Sequence, residues 1–322
     1  MSKTHLPIPC PPHPTYDIKG VINAALEEDA GGVGDVTTLA TISTETKAKA
    51  TFLAKADGVV AGLGVVDLVF ELVDKDLEVK WFVKDGDRVK PGLILGEVFG
   101  SARGILVAER VALNFMQRMS GVATATAAMV AAAASSGSKT KVLETRKTVP
   151  GLRLLDKWAV LIGGGYNHRL GLYDMMMIKD NHIAAAGGIT AAVERAEAYI
   201  AGQNLGNMPI EVETRTMEEL DEILNILKAS RNPDGSSSSH VTRVMLDNMT
   251  KKDASASDGI DVSMLEVAVK KIDGLVDSEA SGNVTLATVK KIAATGVTFV
   301  SVGALTHSVM ALDISLNVET QA

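Results

Sequence analysis

The second half of the chain alternates short apolar runs with amphipathic segments. The apolar runs predict strands at 141–145, 175–178, 210–213, 244–247, 276–280 and 299–302. Apolar residues at helical spacing between the later runs predict helices at 189–200, 217–229, 262–272 and 286–294. Strands that alternate with helices in this way are typical of parallel βα units. The pattern therefore predicts an α/β fold for this part of the chain.

The first third of the chain has a different pattern. It predicts strands at 48–56, 77–83 and 94–99. A turn containing Gly and Pro, at 84–92, separates the last two of these strands. A first helix is predicted from Asp17 to Asp29, with Asp17 as its N-cap, and a longer one from Glu109 to about Ala134. The change of pattern at Glu109 indicates two structurally different regions.

Each predicted strand of the second half ends in a polar residue or in one with special backbone freedom. These residues are Arg146, Lys179, Glu213, Asp247, Ser281 and Gly303. An α/β barrel builds its active site from the carboxyl ends of all its strands, whereas a doubly wound sheet concentrates such residues at one switch point. The regular recurrence along the chain favours the barrel over the doubly wound sheet.

The composition is that of a globular protein, with 322 residues of which 46% are hydrophobic and 22% are charged. The net charge of −7 argues against nucleic-acid binding and against a membrane-surface protein. The single cysteine, Cys10, excludes an internal disulfide and favours a reducing compartment. No segment has the character of a membrane span or a secretory signal. We expect a cytoplasmic protein, or one of the plastid or another organelle stroma if a transit peptide has been removed.

One window of this acidic chain is cationic. Between Lys139 and Asn181, eight Lys and Arg residues stand against four Asp and Glu residues. A cationic site in an anionic protein suggests a small, multiply negative ligand. Arg146 and Lys179 follow apolar strands, which favours a functional role for both over the alternative of salt-bridged scaffolding. A lone histidine such as His168 is more often a hydrogen-bonded structural residue.

Glu213 and Asp247 bring the opposite charge to two consecutive strand ends. The two-residue period of a strand places Glu211 and Glu213 on the same face. Because an isolated buried carboxylate is costly, these acids must face a cation, hydrogen-bond donors or water. Carboxylates without nearby His or Cys ligands suit Mg²⁺ shared with phosphates, and a structural ion pair is the alternative. A pair of glycosidase acids would not need so many cations beside it.

Small residues follow the last two predicted strands. They form the segments Glu279–Asn283 and Ser301–Ala304. Such segments let backbone N–H groups approach a phosphate, although simple turns explain them equally well. The chain has no Walker A motif and no His-Glu-x-x-His motif, and its Gly163–Gly165 run is not a complete dinucleotide-binding fingerprint.

Eight motifs occur in order between about Pro12 and Leu316. They are Glu109–Gly121, Glu144–Arg153, Asn167–Arg169, Ile178–His182, Glu211–Glu213, Leu246–Asn248, Glu279–Gly282 and Gly303–His307. Together they resemble the quinolinate phosphoribosyltransferase family, also called carboxylating nicotinate-nucleotide pyrophosphorylases, and they are most similar to its plant-type branch. The departures are few: Val111, Glu144 and Asn283 stand where many relatives have Thr, Asp and Gly.

The resemblance implies an N-terminal α/β sandwich followed by an open, seven-stranded α/β barrel. The sandwich would comprise residues 1–115 together with a C-terminal return at 308–322, and the barrel, which carries the active site, residues 116–307. The resemblance also implies a homodimer in which the sandwich of one subunit closes the barrel mouth of the other. Arg110 would then reach into the neighbouring subunit's pocket.

The resemblance further implies roles for individual residues. The two quinolinate carboxylates would be held by Arg146, His168, Arg169 and Lys179. Lys147 would contact the pyrophosphate, and Glu213 and Asp247 would face the ribose and Mg²⁺. Ser281, Gly282 and Gly303 would contact the 5-phosphate. The remaining substrate-binding positions would be Thr148, Asn283, Val302, Ala304 and His307. The implied catalytic residues are Lys147, Lys179, Glu213 and Asp247.

The implied reaction joins quinolinate to phosphoribosyl pyrophosphate and gives nicotinate mononucleotide, CO₂ and pyrophosphate, a step of NAD biosynthesis. It requires no protein nucleophile. Two alternatives stay open at this point. One is an aldolase that uses Lys179 to form a Schiff base, and the other is a non-catalytic anion sensor on the same scaffold.

Overall fold

The computed structural model describes residues 5–255 and 259–320, which fall into two units. The N-terminal unit comprises Met1–Ala127, Lys147–Gly165 and Leu305–Ala322, and the barrel unit comprises Ala128–Arg146 and Tyr166–Ala304. Positions 1–4, 256–258 and 321–322, which the predicted domain ranges include, lie outside the described residues.

The described residues form eleven helices and fourteen strands. The helices are α1 (Ile18–Ala30), α2 (Val36–Thr41), α3 (Leu63–Val73), α4 (Ala102–Ala134), α5 (Arg153–Ile162), α6 (Asp180–Ala186), α7 (Ile189–Gln203), α8 (Met217–Ala229), α9 (Ser263–Ile272), α10 (Val289–Ala294) and α11 (Ala304–His307). The strands of the first third and the C-terminus are β1 (Lys47–Ala54), β2 (Gly58–Val59), β3 (Glu78–Trp81), β4 (Arg88–Val89), β5 (Ile94–Ser101) and β14 (Ile314–Thr320). The others are β6 (Lys141–Leu143), β7 (Met176–Ile178), β8 (Ile210–Thr214), β9 (Val241–Asp247), β10 (Lys251–Lys252), β11 (Ile260–Asp261), β12 (Asp277–Ser281) and β13 (Phe299–Ser301).

The N-terminal unit is built on a four-stranded antiparallel sheet with the order β14-β1-β5-β3. Strand β1 buries alternate residues, as the two-residue period requires, and its Phe52 ring packs 6.1 Å from that of Phe70 on α3. Strand β14 pairs antiparallel with β1 from Ala48 to Ala54, so the C-terminal segment supplies an edge strand of this sheet.

Two of the longer helices of this unit, α3 and α5, are absent from the sequence-based prediction. In α3 the apolar residues are nearly continuous, and Val65, Val66, Val69 and Phe70 are all buried, so no amphipathic stripe marks the helix. The second, α5, buries Trp158 in the same hydrophobic cluster as Phe52 and Phe70. Residues 147–165 thus belong to the N-terminal unit, as do residues 116–127 and 305–307, whereas the sequence-based boundary put all of 116–307 in the barrel domain.

The barrel unit carries a six-stranded parallel sheet with the order β6-β13-β12-β9-β8-β7. Tyr166 forms a parallel bridge to Leu143 on the outer side of β6 and so takes a seventh position, as a single bridge rather than a full strand. Among the described residues no ladder joins Tyr166 to β7, and the barrel is therefore open there. The predicted open α/β barrel is confirmed, and the doubly wound alternative is excluded.

Candidate active site

The two predicted acids lie at the carboxyl ends of neighbouring parallel strands. Glu213 is the penultimate residue of β8, and Asp247 ends β9. The Glu213 side chain is almost fully buried, and Lys179 places Nζ 3.5 Å from its Oε2. Lys179 directly precedes α6, so the strand-to-helix connection after β7 positions this cation.

Arg215, which the sequence analysis did not single out, joins these acids. Its Nη2 lies 3.2 Å from Glu213 Oε1, and its Nε lies 3.4 Å from Asp247 Oδ2. Its Nη1 lies 2.7 Å from Oδ2 of Asp180 at the start of α6. A signal was present in the sequence, because Arg215 continues the two-residue period of Glu211 and Glu213 beyond the end of the strand.

Arg146 and Arg169 form a pair of like charges in the same unit. The Nε of Arg146 is buried and has no hydrogen-bond acceptor among the described residues. Burial lowers the pKa of Arg169, and the like charge of Arg146 lowers it further. Repelling guanidinium groups with an unsatisfied buried donor are suited to an anion that bridges them.

His168 lies beside these arginines but faces the barrel interior. Its Nε2 lies 3.0 Å from Glu211 Oε2 and 3.5 Å from Glu279 Oε2, and its Nδ1 accepts a 2.7 Å hydrogen bond from the backbone N–H of Arg169. Its own backbone N–H donates to Glu144 Oε1. Both ring nitrogens therefore contact protein groups. The expectation that the ring holds a quinolinate carboxylate stays a prediction, and it requires one of these contacts to open.

Glu211 and Glu279 are fully buried and share one cation, Arg243. Its Nη1 lies 2.7 Å from Glu279 Oε2 and 4.0 Å from Glu211 Oε2, and its guanidinium stacks on Phe299. Burial and then the charge of Glu279 raise the pKa of Glu211. For Glu279, His168 and Arg243 outweigh burial and lower the pKa. His168, Glu211 and Glu279 could together ligate a metal ion, but the guanidinium already supplies the positive charge.

The segment after β12, which the resemblance assigns to phosphate binding, forms a tight turn. Gly282 and Asn283 both have positive φ angles, +95° and +56°. A Cβ on Gly282 would lie 2.2 Å from Asn248 Oδ1, so only glycine fits there. Asparagine tolerates this left-handed conformation, and Asn283 therefore fits the turn without a glycine. The backbone N–H of Asn248 donates to the carbonyl of Ser281 and holds the turn against the end of β9.

The last strand of the barrel supplies three more predicted positions. Val302 is buried, and its N–H donates to the carbonyl of Leu143. Gly303 lies in the connection from β13 to α11, and Ala304 is the first residue of α11. The N–H of Val302 is thus used by the sheet, whereas Ala304 is exposed.

The remaining predicted positions belong to the N-terminal unit. Arg110 is an exposed residue of α4, and Lys147 is exposed beyond the end of β6. Thr148 accepts a hydrogen bond from Nε of Arg153, and His307 pairs through Nδ1 with the hydroxyl of Ser308. The roles predicted for these four residues stay predictions.

Comparison with known proteins places this geometry in a family context. The N-terminal domain model of quinolinate phosphoribosyl transferase matches residues 35–120, and the C-terminal domain model matches residues 122–317. The chain is 56% identical over 320 residues to chloroplastic nicotinate-nucleotide pyrophosphorylase (carboxylating) of Oryza sativa subsp. japonica, covering 99% of this chain and 82% of the relative. It is 57% identical over 311 residues to the protein of the same name from Arabidopsis thaliana, covering 97% and 85%. The crystal structure of NadC from Streptococcus pyogenes superposes with a TM-score of 0.81 at 38% identity and covers 95% of this chain and 97% of that one.

Proposed function

The chain belongs to the quinolinate phosphoribosyltransferase family, and from this premise we propose that it transfers the phosphoribosyl group of phosphoribosyl pyrophosphate to quinolinate. The transfer is coupled to decarboxylation and yields nicotinate mononucleotide, CO₂ and pyrophosphate, a step of NAD biosynthesis. The substrates are small and anionic, which agrees with a cationic site in an acidic chain.

One observation within the site carries the proposal: the repelling pair of Arg146 and Arg169, with a buried Nε that has no acceptor among the described residues. A dicarboxylate supplies the anionic charge and the acceptors that this pair needs. A monocarboxylate would leave part of the pair unsatisfied. At about 4 Å and an effective dielectric constant near 20, each lost charge pair amounts to roughly 4 kcal/mol of interaction energy.

The acids at the rim suit the other substrate. As pyrophosphate leaves, positive charge develops on the anomeric carbon of the ribose, and the carboxylates of Glu213 and Asp247 can stabilise it. Both carboxylates converge on one guanidinium, so their oxygens also converge on a position that a divalent cation can occupy. We propose Mg²⁺ there, since it prefers oxygen ligands and shares them with phosphates. When bound, it supplies positive charge against the leaving pyrophosphate.

The transfer itself needs orientation more than covalent catalysis. Holding the pyridine nitrogen in line with the anomeric carbon can lower the barrier by about 7–11 kcal/mol. The nitrogen becomes positively charged when its bond to the ribose forms. Loss of CO₂ then leaves an electron pair on the adjacent ring carbon, where the positive nitrogen stabilises it until a proton from water is added to that carbon. Lys179 is 45% exposed beside the Glu213 carboxylate. A Schiff-base lysine instead lies in an apolar pocket or beside another cation, which argues against the aldolase.

The remaining assignments are proposals on the same basis. Lys147 contacts the pyrophosphate, and the 5-phosphate lies against Ser281, Gly282 and Gly303. The substrate-binding set is completed by Thr148, Asn283, Val302, Ala304 and His307. A homodimer donates Arg110 across the interface.

None of the helices in the described part of the chain has the length and apolar character of a membrane span. We propose an organelle stroma as the location, because the rice and Arabidopsis relatives are named chloroplastic.

The decisive assay measures pyrophosphate release by the purified chain. Release should require quinolinate, phosphoribosyl pyrophosphate and Mg²⁺ together, with CO₂ formed in equal amount. Nicotinate in place of quinolinate should lower kcat/KM by about 10⁴-fold, because it leaves cations unpaired. Quinolinate binding without any pyrophosphate release would instead support an anion sensor, and equal rates with nicotinate would contradict the dicarboxylate site.

The shared site is tested by subunit mixing. Arg110→Ala and Lys179→Ala subunits should each be inactive alone, because each homodimer lacks one of the two groups at every site. Mixed dimers would regain activity at one of their two sites. The measurement is pyrophosphate release after joint refolding, with the presence of mixed dimers verified by differently tagged subunits. No recovery in verified mixed dimers would contradict the donation of Arg110.

A further inference from the structure

Arg215 occupies the place where the acids at the rim would hold a metal ion. Three different nitrogens of its guanidinium reach three carboxylates: Asp180 at 2.7 Å, Glu213 at 3.2 Å and Asp247 at 3.4 Å. The two longer contacts are those to the proposed Mg²⁺ ligands. The shortest contact goes to Asp180, to which no role in binding the substrates has been assigned.

A guanidinium in this position and a divalent cation exclude one another. Both carry positive charge, and both would use the same oxygens of Glu213 and Asp247. The Arg215 side chain is 48% exposed, so it can leave without opening the barrel core. Asp180, itself 40% exposed, can keep hold of the guanidinium after the other two contacts break.

We propose that Arg215 is an internal counter-ion that occupies the cation position between Glu213 and Asp247 in the substrate-free protein and is displaced when the metal arrives. This inference rests on the proposed function in one respect, the assignment of a divalent cation to these two acids. Without substrate, Arg215 prevents the two carboxylates from repelling each other. In the presence of substrate and metal, it moves toward Asp180. The apparent metal affinity of the substrate-free protein is therefore the intrinsic affinity multiplied by the fraction of molecules in which Arg215 has left this position.

The test is a titration of the full-length, substrate-free protein with Mn²⁺, followed by electron paramagnetic resonance of the free ion. If Arg215 is in place in nine-tenths of the molecules, Arg215→Ala should bind Mn²⁺ about tenfold more tightly than the unaltered protein. Arg215→Lys should fall between the two, because an ammonium group cannot bridge three carboxylates. The matched control is Arg231→Ala, which removes an exposed arginine after α8 whose guanidinium contacts the Leu275 carbonyl. This control should leave the affinity unchanged.

A second variant tests whether the additional Mn²⁺ affinity comes from the site between Glu213 and Asp247. Adding Glu213→Gln to Arg215→Ala should abolish the gain, because it removes one of the two carboxylates. Equal Mn²⁺ affinity of the unaltered protein and Arg215→Ala would overturn the proposal, as would a gain that survives Glu213→Gln. Thermal unfolding of each variant verifies that it is folded. The pyrophosphate assay on the unaltered protein reports on the proposed function separately, so either idea can fail without the other.

Discussion

The barrel unit contains two ionic clusters built from similar side chains in different surroundings. The interior cluster consists of His168, Glu211, Arg243 and Glu279, whose side chains are between 0 and 12% exposed. The rim cluster consists of Lys179, Glu213, Arg215 and Asp247, and its two cations are 45 and 48% exposed. Each cluster combines two carboxylates with two basic side chains. They differ in how much water can reach the basic side chains.

That difference determines what each cluster can do. Buried charges lose their hydration, so each one depends on its partner, and removing a partner leaves an uncompensated ion. A buried cluster of this kind therefore holds its side chains in one arrangement. The contact from the backbone N–H of Arg169 to His168 joins it to the arginine pair proposed to bind the dicarboxylate. Exposed cations exchange protein partners for water or ligand at little cost. The rim cluster can therefore rearrange around a substrate while the interior cluster holds the position of the site.

Removing the arginine from each cluster should give the largest contrast in stability. Arg243→Met keeps most of the side-chain volume but leaves Glu211 and Glu279 buried without their shared guanidinium, and we expect a loss of about 3–5 kcal/mol in the free energy of unfolding. Arg215→Met, the matched change at the rim, should cost about 1 kcal/mol or less, because the Arg215 side chain is half-exposed and Lys179 still lies 3.5 Å from Glu213. Urea unfolding in metal-free buffer measures both. Equal losses would contradict the division into a fixed and an exchangeable cluster.

Neutralising one acid in each cluster should show which of the two clusters takes part in catalysis. Asp247→Asn removes a carboxylate that faces the developing charge on the ribose, and kcat should fall by about 10²–10³-fold. Glu211→Gln is the control at the neighbouring strand, because Glu211 is fully buried beside His168 and Arg243 in the interior cluster and an amide of the same size keeps its packing. We expect its kcat to fall by less than about tenfold. Steady-state kinetics at saturating substrates would decide, and a larger loss for Glu211→Gln would reverse the assignment.

The sequence predicted the residues of the rim cluster better than the contacts of the interior cluster. Strand ends are marked by a switch from apolar to polar residues, so Lys179, Glu213 and Asp247 could be identified one at a time. The interior cluster depends on pairing between strands, such as that of Glu211 with Arg243 across β8 and β9, and strand register is set by the tertiary fold. Helix α3 escaped prediction for a related reason, because continuous apolar sequence carries no periodic signal.

The interior cluster should also make stability depend on pH. Burial alone lowers the pKa of His168, but the hydrogen bonds and charges of Glu211 and Glu279 outweigh it and raise the pKa to about 9. Because this folded-state pKa exceeds the ordinary value near 6.5, the contribution of the ring is complete below pH 6.5 and is lost as the pH rises through about 9. It amounts to at most about 3 kcal/mol.

The measurement compares urea unfolding of the unaltered protein and of His168→Gln between pH 6 and pH 9.5. The difference between the two proteins should shrink as the pH rises. Nitrogen chemical shifts of the ring provide an independent check, because full protonation breaks the hydrogen bond from the Arg169 N–H to Nδ1. A neutral ring throughout this pH range, with an unchanged stability difference, would contradict the raised pKa.

The smallest expected effect is the response of the two clusters to salt. Raising the ionic strength from 0.1 to 1 M shortens the screening length from about 10 Å to about 3 Å, which weakens interactions between exposed charges but hardly affects buried ones. The stability difference between Arg215→Met and the unaltered protein, at most about 1 kcal/mol, should therefore approach zero. The difference for Arg243→Met should stay within about 0.5 kcal/mol of its low-salt value. Urea unfolding at both ionic strengths measures these differences, in which the general effect of salt on folding cancels. If the loss caused by Arg243→Met fell as steeply as that caused by Arg215→Met, water would have to reach the interior cluster, and its role as the fixed support of the site would fail.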